Sequence, residues 1–127
     1  MSNIPNELMY TEDHEWANLE GKNASVGITD FAQSSLGDIV YLELPRVGTK
    51  IHRAKSFGVV ESIKSVSDLF SPFSGEVVAV NSELINTPEA LNSDPYKNWL
   101  IKIAMDAPEE STMLMDANKY KTFIEKH

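Results

Sequence analysis

Lys64 is the residue whose type and position most directly suggest chemistry. It stands in the stretch GVVESIKSVSDLFSPFSGEVV, residues 58–78, between two runs with the composition of β-strands, so the sequence predicts a lysine at a hairpin tip. A modifying enzyme can reach a side chain on a protruding turn, and the neighbouring Ser62, Ser65 and Ser67 are too small to obstruct it. A modified tip lysine would be a long arm that carries an intermediate between enzymes, whereas an unmodified one is an ordinary solvated turn residue.

The other residue types that perform chemistry do not form a recognisable centre. The three histidines, His14, His52 and His127, lack metal-ligand spacing, and we predict no metal site. Asp13, His14 and Glu15 are adjacent, and a strand would send their side chains to opposite faces, which argues against a metal site there. This run reads instead as a polar strand entry leading to a buried Trp16. The sequence contains no cysteine, nucleophile elbow, phosphate loop or dinucleotide fingerprint, so it offers no self-sufficient catalytic centre.

Length and charge describe the kind of protein. A chain of 127 residues with 42% hydrophobic residues fits one domain with a real core. The net charge of −8 repels nucleic acid and anionic lipid and favours basic partner surfaces, although such a charge can simply keep a small domain soluble. No signal peptide and no run approaching about 18 apolar residues is found, so we expect a soluble monomer without a membrane span.

Short runs of strand-forming residues recur along the chain, separated by glycine and proline turns. Short, evenly spaced strands without long crossover helices favour an antiparallel sandwich or small barrel over an α/β layer fold. The glycine and asparagine of Glu20 to Asn23 predict a hairpin turn between the first two strands. The predicted strands are His14 to Leu19, Ala24 to Ile28, Asp38 to Leu44, Thr49 to Ile51, Ser56 to Ile63, Val66 to Phe70, Glu76 to Val80 and Trp99 to Ala104.

The remaining predicted elements are helices and helical turns. Asp30 to Leu36 reads as a short helix with Asp30 as its cap and Gly37 as its stop. Residues 81–97 read as a polar loop with a turn of helix near 88–91, and Pro108 opens a further turn. After a cap at Asp116, apolar residues at helical spacing predict an amphipathic terminal helix packed on the β body: Ala117, Tyr120, Phe123 and Ile124.

The tip sequence resembles the lipoyl-attachment segment of glycine cleavage system H proteins. That family shows Glu-Ser, an aliphatic residue, Lys, a small residue and then Ser-Asp, which is matched here by Glu61, Ser62, Ile63, Lys64, Ser65, Ser67 and Asp68. Further segments are similar too: YTEDHEW (10–16), VGITDFAQSSLGDIVYLELPRVGT (26–49), SPFSGEVVAVN (71–81) and NSDPYKNWLIKI (92–103). The resemblance therefore covers nearly the whole chain.

This resemblance implies a mainly β fold, a flattened barrel-sandwich hybrid of the lipoyl-carrier type. A single domain of residues 1–127 would comprise a β body over about residues 10–104 and a C-terminal helical segment over about residues 107–127. Gly48 and Gly75 match the turn glycines of the attachment region in lipoyl-type domains. Both glycines would also serve a physical need, either a positive φ or a close backbone approach.

The resemblance also implies a carrier rather than an enzyme. Lipoic acid would be joined to Lys64 in amide linkage by a lipoate ligase or a lipoyl/octanoyl transferase. The arm would take the aminomethyl group of glycine from the pyridoxal-phosphate-dependent glycine decarboxylase (P protein) to the tetrahydrofolate-dependent aminomethyltransferase (T protein). Dihydrolipoamide dehydrogenase (L protein) would then reoxidise it. Bacterial cytoplasm is the expected location, or the mitochondrial matrix for a processed eukaryotic protein.

A surface cleft that shelters the loaded arm is a further implication of the resemblance. The positions that correspond to it are Asp13, Glu15, Ile28, Ser35, Leu36 and Asp68. A carboxylate such as Glu15 can hydrogen-bond a protonated amine, and apolar walls can exclude water. Ile28 and Leu36 are equally well read as core residues. Ser35 and Ser65 depart from the residues that are common at these positions in the family.

Four alternatives share the lysine hairpin or use its amine. Biotin carriers typically have Met-Lys-Met at the tip, and lipoyl domains of 2-oxo-acid dehydrogenases typically have Asp-Lys-Ala. This chain has Ile63, Lys64 and Ser65 instead. A lipoyl donor or relay for other lipoate-dependent complexes would use the same lysine. An enzyme with a Schiff-base lysine is disfavoured, since it needs a desolvated amine and this tip is polar.

Overall fold

The computed structural model describes residues 3–126, and this part of the chain is mainly β. It contains short helices and a longer C-terminal helix beside the strands. The strands are β1 (Met9–Tyr10), β2 (Glu15–Glu20), β3 (Asn23–Ile28), β4 (Ile39–Glu43), β5 (Lys50–Ile51), β6 (Ser56–Ser62), β7 (Val66–Phe70), β8 (Gly75–Val80) and β9 (Ile101–Met105). The helices are α1 (Asp30–Leu36), α2 (Glu83–Asn86), α3 (Ala90–Ser93), a 3₁₀ helix (Pro108–Met113) and α4 (Ala117–Lys126).

Two antiparallel sheets form the β body. The larger sheet has the strand order β1-β2-β3-β9-β8-β5, and the smaller has the order β4-β6-β7. The predicted first hairpin is confirmed, with Glu20 opposite Asn23 and Gly21 at a φ of 65° in the turn. The predicted strands are all present within one or two residues, and β1 is a short additional strand at the edge of the larger sheet.

The main hydrophobic core joins the two sheets. Most of its buried members come from β3, β8 and β9 of the larger sheet and from β4, β6 and β7 of the smaller one. Fully buried examples are Val26, Val77, Ile101 and Ile103 from the first group and Leu42, Val60 and Leu69 from the second, each at 2% exposure or less. Burial of these apolar side chains is the principal force that holds the sheets together.

Helix α1 has the predicted bounds but a different cap. We predicted Asp30 as the capping residue, and this was wrong: Thr29 accepts a hydrogen bond from the Ala32 N–H at 3.1 Å. The Asp30 carboxylate instead accepts from the Gln33 side chain at 2.8 Å. Gly37 ends the helix as predicted, with a φ of 77°. Thr29 and Asp30 both carry side-chain oxygens that can cap a helix, so the local pattern alone did not show which of the two is the cap.

Residues 81–97 are more ordered than the predicted polar loop. They contain two short helices, α2 and α3, whose buried leucines Leu84 and Leu91 belong to the main core. The single predicted helical turn lies near α3, and α2 was missed. Helices of four residues have too few positions for a periodic signal, so burial of one leucine each decides their place.

A second hydrophobic cluster attaches the C-terminal helix. Tyr10, Trp16, Ala117 and Tyr120 are buried there, and the rings of Tyr10 and Tyr120 stack with centroids 4.6 Å apart. The predicted cap is confirmed, because the Asp116 carboxylate accepts the Lys119 N–H at 2.8 Å. The predicted helical segment extended to His127, which lies outside the described residues. Within residues 3–126, no helix is long and apolar enough to cross a membrane.

Two glycines meet the physical needs that were predicted for them. Gly48 has a φ of +94°, and a Cβ built at Gly75 would lie 2.1 Å from the Ala104 carbonyl oxygen. A side chain at Gly75 would therefore force β8 and β9 apart, since these strands pair at this position. Gly48 instead needs its left-handed backbone conformation.

The close approach at Gly75 gives a first prediction. In Gly75→Ala, we expect the free energy of unfolding to fall by at least about 2 kcal/mol, because the clash involves backbone that must move. Urea unfolding followed by circular dichroism measures this loss.

Gly21→Ala is the matched control. Its φ is +65° but no heavy atom lies within 4 Å of an added Cβ, so only the strained backbone of about 1 kcal/mol is expected. A loss for Gly75→Ala no larger than that of Gly21→Ala would contradict the steric account.

Candidate functional site

The hairpin of β6 and β7 places Lys64 at its tip, as the sequence predicted. Residues 63–65 connect the two strands, and the Ser62 N–H donates to the Ser65 carbonyl at 2.8 Å. The Ile63 N–H donates to the Asp38 carbonyl at 3.0 Å, so the tip is also fastened to the chain before β4. The base of the lysine side chain is therefore held by ordinary backbone hydrogen bonds.

Ser62 has a structural role that the sequence did not reveal. Its side chain is buried, and its hydroxyl oxygen accepts the N–H groups of Lys64 at 3.3 Å and Ser65 at 3.2 Å. A serine that folds back on the next two or three N–H groups stabilises a tight turn. The sequence indicated only that this residue is small, whereas the structure shows that its hydroxyl shapes the tip.

The Lys64 side chain is exposed and passes the end of α1. Its Cε atom would lie 3.6 Å from a Cβ built at Gly37, and the two neighbours Ile63 and Val66 are 70% and 66% exposed. Within residues 3–126 its ammonium forms no ion pair shorter than 4.0 Å. This exposed amine lacks the desolvated surroundings of a Schiff-base lysine.

The residues predicted for the attachment region fall in two places. Glu61, Ser62, Ile63 and Ser65 belong to the hairpin, and Asp68 follows on β7. Glu61 lies in register between Tyr41 and Val66 on the three-stranded sheet. Gly75 instead begins β8 of the larger sheet, and Gly48 lies in the turn before β5, where its N–H donates to the Val77 carbonyl at 2.7 Å. They support the β body and not the tip.

A cleft with a volume of about 160 Å³ opens beside this hairpin. It is bordered by the entry to β2, the end of β3, helix α1 and strands β6 and β7. All six residues predicted for an arm cleft lie in its lining, together with five others: Asp13, Glu15, Ile28, Ser35, Leu36 and Asp68, then His14, Ala32, Val60, Ser67 and Leu69. The tertiary structure thus brings together positions from four separate parts of the sequence.

The cleft has an apolar floor and a polar rim. Ile28, Val60 and Leu69 are each 2% exposed, and they belong to the main core as well as to the cleft lining. Asp13 and Asp68 are exposed at its edge. The two readings of Ile28 are therefore compatible, because one side chain both fills the core and forms the wall. Such a surface can hold a short aliphatic chain with a charged or polar end.

Glu15 is the buried acidic group of the cleft. Its side chain is 2% exposed, and its two carboxylate oxygens accept from the Thr11 hydroxyl at 2.6 Å and from the Phe70 N–H at 3.2 Å. Burial raises the pKa of Glu15 to about 7, while these two hydrogen bonds act in the opposite direction. At neutral pH the group therefore stands close to the midpoint of its titration.

His14 connects the cleft to the C-terminal helix. Its Nδ1 lies 2.8 Å from the Tyr120 hydroxyl, which is 2.7 Å from the hydroxyl of Thr29, the cap of α1. The imidazole also packs against Phe31, with ring centroids 4.6 Å apart. The sequence suggested only a polar strand entry here, and Trp16 behind it is buried as predicted. No group of three or more potential metal ligands occurs within residues 3–126.

Comparison with known proteins gives a consistent assignment. The family profile described as Glycine cleavage H-protein matches residues 8–127. A "Glycine cleavage system H protein" of Anaeromyxobacter sp. (strain K) is 52% identical over 124 residues, which are 97% of this chain and 97% of that protein. Another of the same name, from Halalkalibacterium halodurans, is 51% identical over 98% of both chains.

A solved structure extends the similarity to the fold. The crystal structure of a glycine cleavage system H protein from Mycobacterium marinum superposes with a TM-score of 0.86 at 39% identity. The match covers 94% of this chain and 97% of that one. The predicted barrel-sandwich fold is thereby confirmed, and the chain belongs to the glycine cleavage H-protein family.

Proposed function

We propose that this protein is the lipoyl carrier of a glycine cleavage system, with lipoic acid in amide linkage to Lys64. The observation that carries the proposal is an exposed lysine on a rigid hairpin tip directly beside an amphiphilic cleft. The family assignment gives the chemical context. The chain would act as a monomeric carrier domain and would not itself catalyse turnover.

The tip fits covalent attachment of a lipoyl group. The amine of Lys64 is accessible, and Ser65 beside it is small. The backbone that carries the lysine is held by Ser62 and Asp38, so a modifying enzyme would meet a defined hairpin. A lipoate ligase or a lipoyl/octanoyl transferase is the expected modifying partner.

A bound lipoyl group would supply a disulfide that accepts the aminomethyl unit of glycine and a dithiol that is later reoxidised. The glycine decarboxylase (P protein), the aminomethyltransferase (T protein) and dihydrolipoamide dehydrogenase (L protein) are the proposed partners. The net charge of −8 would favour association with basic surfaces on these partners. An arm on a fixed base visits each of them at a high effective concentration.

The cleft residues would shelter the cargo between these visits. The buried carboxylate of Glu15 would accept a hydrogen bond from the protonated amine of the cargo, with Asp13 and Asp68 adding negative charge at the rim. Ile28 and Leu36 would exclude water from the carbon that carries the amine. The chain's contribution is therefore to orient the cargo and to slow its hydrolysis.

Lipoylation is the first test of this function. Incubation with a lipoate ligase, ATP and lipoic acid is expected to add one lipoyl increment to the intact mass, and peptide mapping is expected to place it on Lys64. Lys64→Arg abolishes the increment. Lys55→Arg, at another exposed lysine, is the matched control and retains it.

An assay of the lipoylated protein also distinguishes a glycine cleavage carrier from a lipoyl donor for other complexes. Glycine decarboxylation reconstituted with the P, T and L proteins supports the proposed function. A protein that accepts lipoate on Lys64 but supports no glycine decarboxylation would fit a lipoyl donor for other complexes. Absence of any increment with an active ligase would refute both roles.

Glu15→Gln tests the cleft. The reduced arm can be loaded chemically, with one thiol, one formaldehyde and one ammonium ion giving the amine cargo and one water. We expect cargo hydrolysis to be at least about tenfold faster in the variant at pH 8, because a charge-assisted hydrogen bond is lost. Intact mass spectrometry follows the hydrolysis, and dihydrolipoamide loaded in the same way corrects for the intrinsic chemistry.

The protection should also depend on pH with a defined sign. Since the pKa of Glu15 is raised to about 7, the group is mostly ionised above that pH and mostly neutral below it. Protection in the wild-type protein is expected to weaken as pH falls through about 7, while Glu15→Gln shows no such step. Equal hydrolysis rates in the two proteins at every pH would refute this role of Glu15.

A further inference from the structure

Thr11 forms a closed set of hydrogen bonds with Glu15. Its hydroxyl donates to Glu15 Oε1 at 2.6 Å and accepts the Glu15 N–H at 3.1 Å. The backbone adds a third contact, in which the Thr11 N–H donates to the Glu15 carbonyl at 3.0 Å. Thr11 lies in the connection between β1 and β2, four residues before the carboxylate that it contacts.

The direction of these bonds suits a carboxylate. A threonine hydroxyl has one hydrogen, and here that hydrogen is directed at Glu15 Oε1 because the Glu15 N–H already donates to the hydroxyl oxygen. Glu15 Oε2 accepts the Phe70 N–H. Both oxygens thus act as acceptors toward the protein, and each keeps a lone pair for a further donor.

Glu15 lies between two cavities. One is the cleft of about 160 Å³, and the other has a volume of about 270 Å³ and includes Thr11, Arg53, Ala54 and Pro72 in its lining. Glu15 lines both. Because Glu15 borders both cavities, close packing alone does not fix which way its carboxyl group faces, and its two hydrogen bonds supply the constraint.

Charged and titratable groups surround Glu15 on both sides. Burial opposes the ionisation of Glu15 most strongly, the hydrogen bonds from Thr11 and Phe70 favour it, and the carboxylate of Asp13 adds a smaller opposing effect. The other titratable groups that line the two cavities or interact electrostatically with Glu15 are Asp68 and His14 beside the cleft, Tyr120 from α4, and Glu12 and Arg53 beside the second cavity.

We propose that Thr11 is a positioning residue, whose hydroxyl fixes the Glu15 carboxylate at the border of the cleft as an ionised acceptor for the amine of the cargo. This inference rests on the proposed carrier function. Thr11 does not line the cleft and acts only through Glu15. Removal of the hydroxyl would favour the protonated form of Glu15 and leave its carboxyl group held by the Phe70 N–H alone, which would weaken its hold on the amine.

The test compares Thr11→Val with Thr11→Ser in the lipoylated protein. Valine keeps the shape and the hydrogen bond from the Thr11 N–H to the Glu15 carbonyl, but it loses both bonds of the hydroxyl, whereas serine keeps them. With glutamate labelled with ¹³C at the side-chain carboxyl, NMR follows the titration of Glu15, and Glu15→Gln assigns its signal. This readout needs neither cargo nor partner enzymes.

We expect Thr11→Val to lower the acid dissociation constant of Glu15 about tenfold, as the loss of one hydrogen bond to a charged group predicts. Thr11→Ser is expected to titrate like the wild-type protein. Thr49→Val is the matched control. The Thr49 hydroxyl donates to the Arg46 carbonyl and not to Glu15, and Thr49 lines neither cavity. If Thr11→Val does not fold, Thr11→Ala replaces it with the same expectation.

A second readout is the lifetime of the chemically loaded cargo, which we expect to be shortened severalfold by Thr11→Val and not by Thr11→Ser. An unchanged titration in Thr11→Val overturns the inference whatever the lifetime shows. A shifted titration with an unchanged lifetime overturns it as well, provided that Glu15→Gln shortens the lifetime. If Glu15→Gln has no effect on the lifetime, the proposed cleft function fails, and the role of Thr11 toward the cargo fails with it.

Discussion

The carboxylate of Glu15 joins the two sheets at the point where the cleft forms. Glu15 begins β2 of the larger sheet, and it accepts the N–H of Phe70, which ends the edge strand β7 of the smaller one. A buried carboxylate is costly unless donors satisfy it, and here Thr11 and Phe70 do so. The same two bonds leave each carboxylate oxygen a lone pair for a further donor, and Glu15 lines the cleft. The acidic group of the proposed site is therefore also part of the contact between the sheets.

The proposed site combines a rigid tip with a flexible arm. Ser62 and the carbonyl of Asp38 hold the backbone around the lysine, while the Lys64 side chain is exposed and unpaired within residues 3–126. A carrier needs both properties, because the base must be recognised and the arm must reach several active sites. The Tyr120 hydroxyl, which contacts His14 at the cleft, ties the C-terminal helix to the same region.

Local rules predicted much of the fold. The alternating strands, the turn at Gly21, the helix stop at Gly37 and the cap at Asp116 depend on neighbours within a few residues, and all are present. The rules failed where two local solutions compete or where an element is very short. Thr29 and Asp30 can both cap a helix, and α2 is held by tertiary burial of a leucine and not by its own periodicity.

By itself, the sequence determined that Lys64 lies at a hairpin tip and that the chain resembles a lipoyl carrier, since both conclusions depend on contiguous patterns. Only the tertiary structure placed Glu15 beside Phe70, 55 positions away, and His14 beside Tyr120, 106 positions away. Hydrogen bonds between such distant residues leave no periodic trace in a sequence. Their partners are chosen when the sheets pack and water is excluded. This packing decided which carboxylate is buried, and the hydrogen bonds from Thr11 and Phe70 then fix which way it faces.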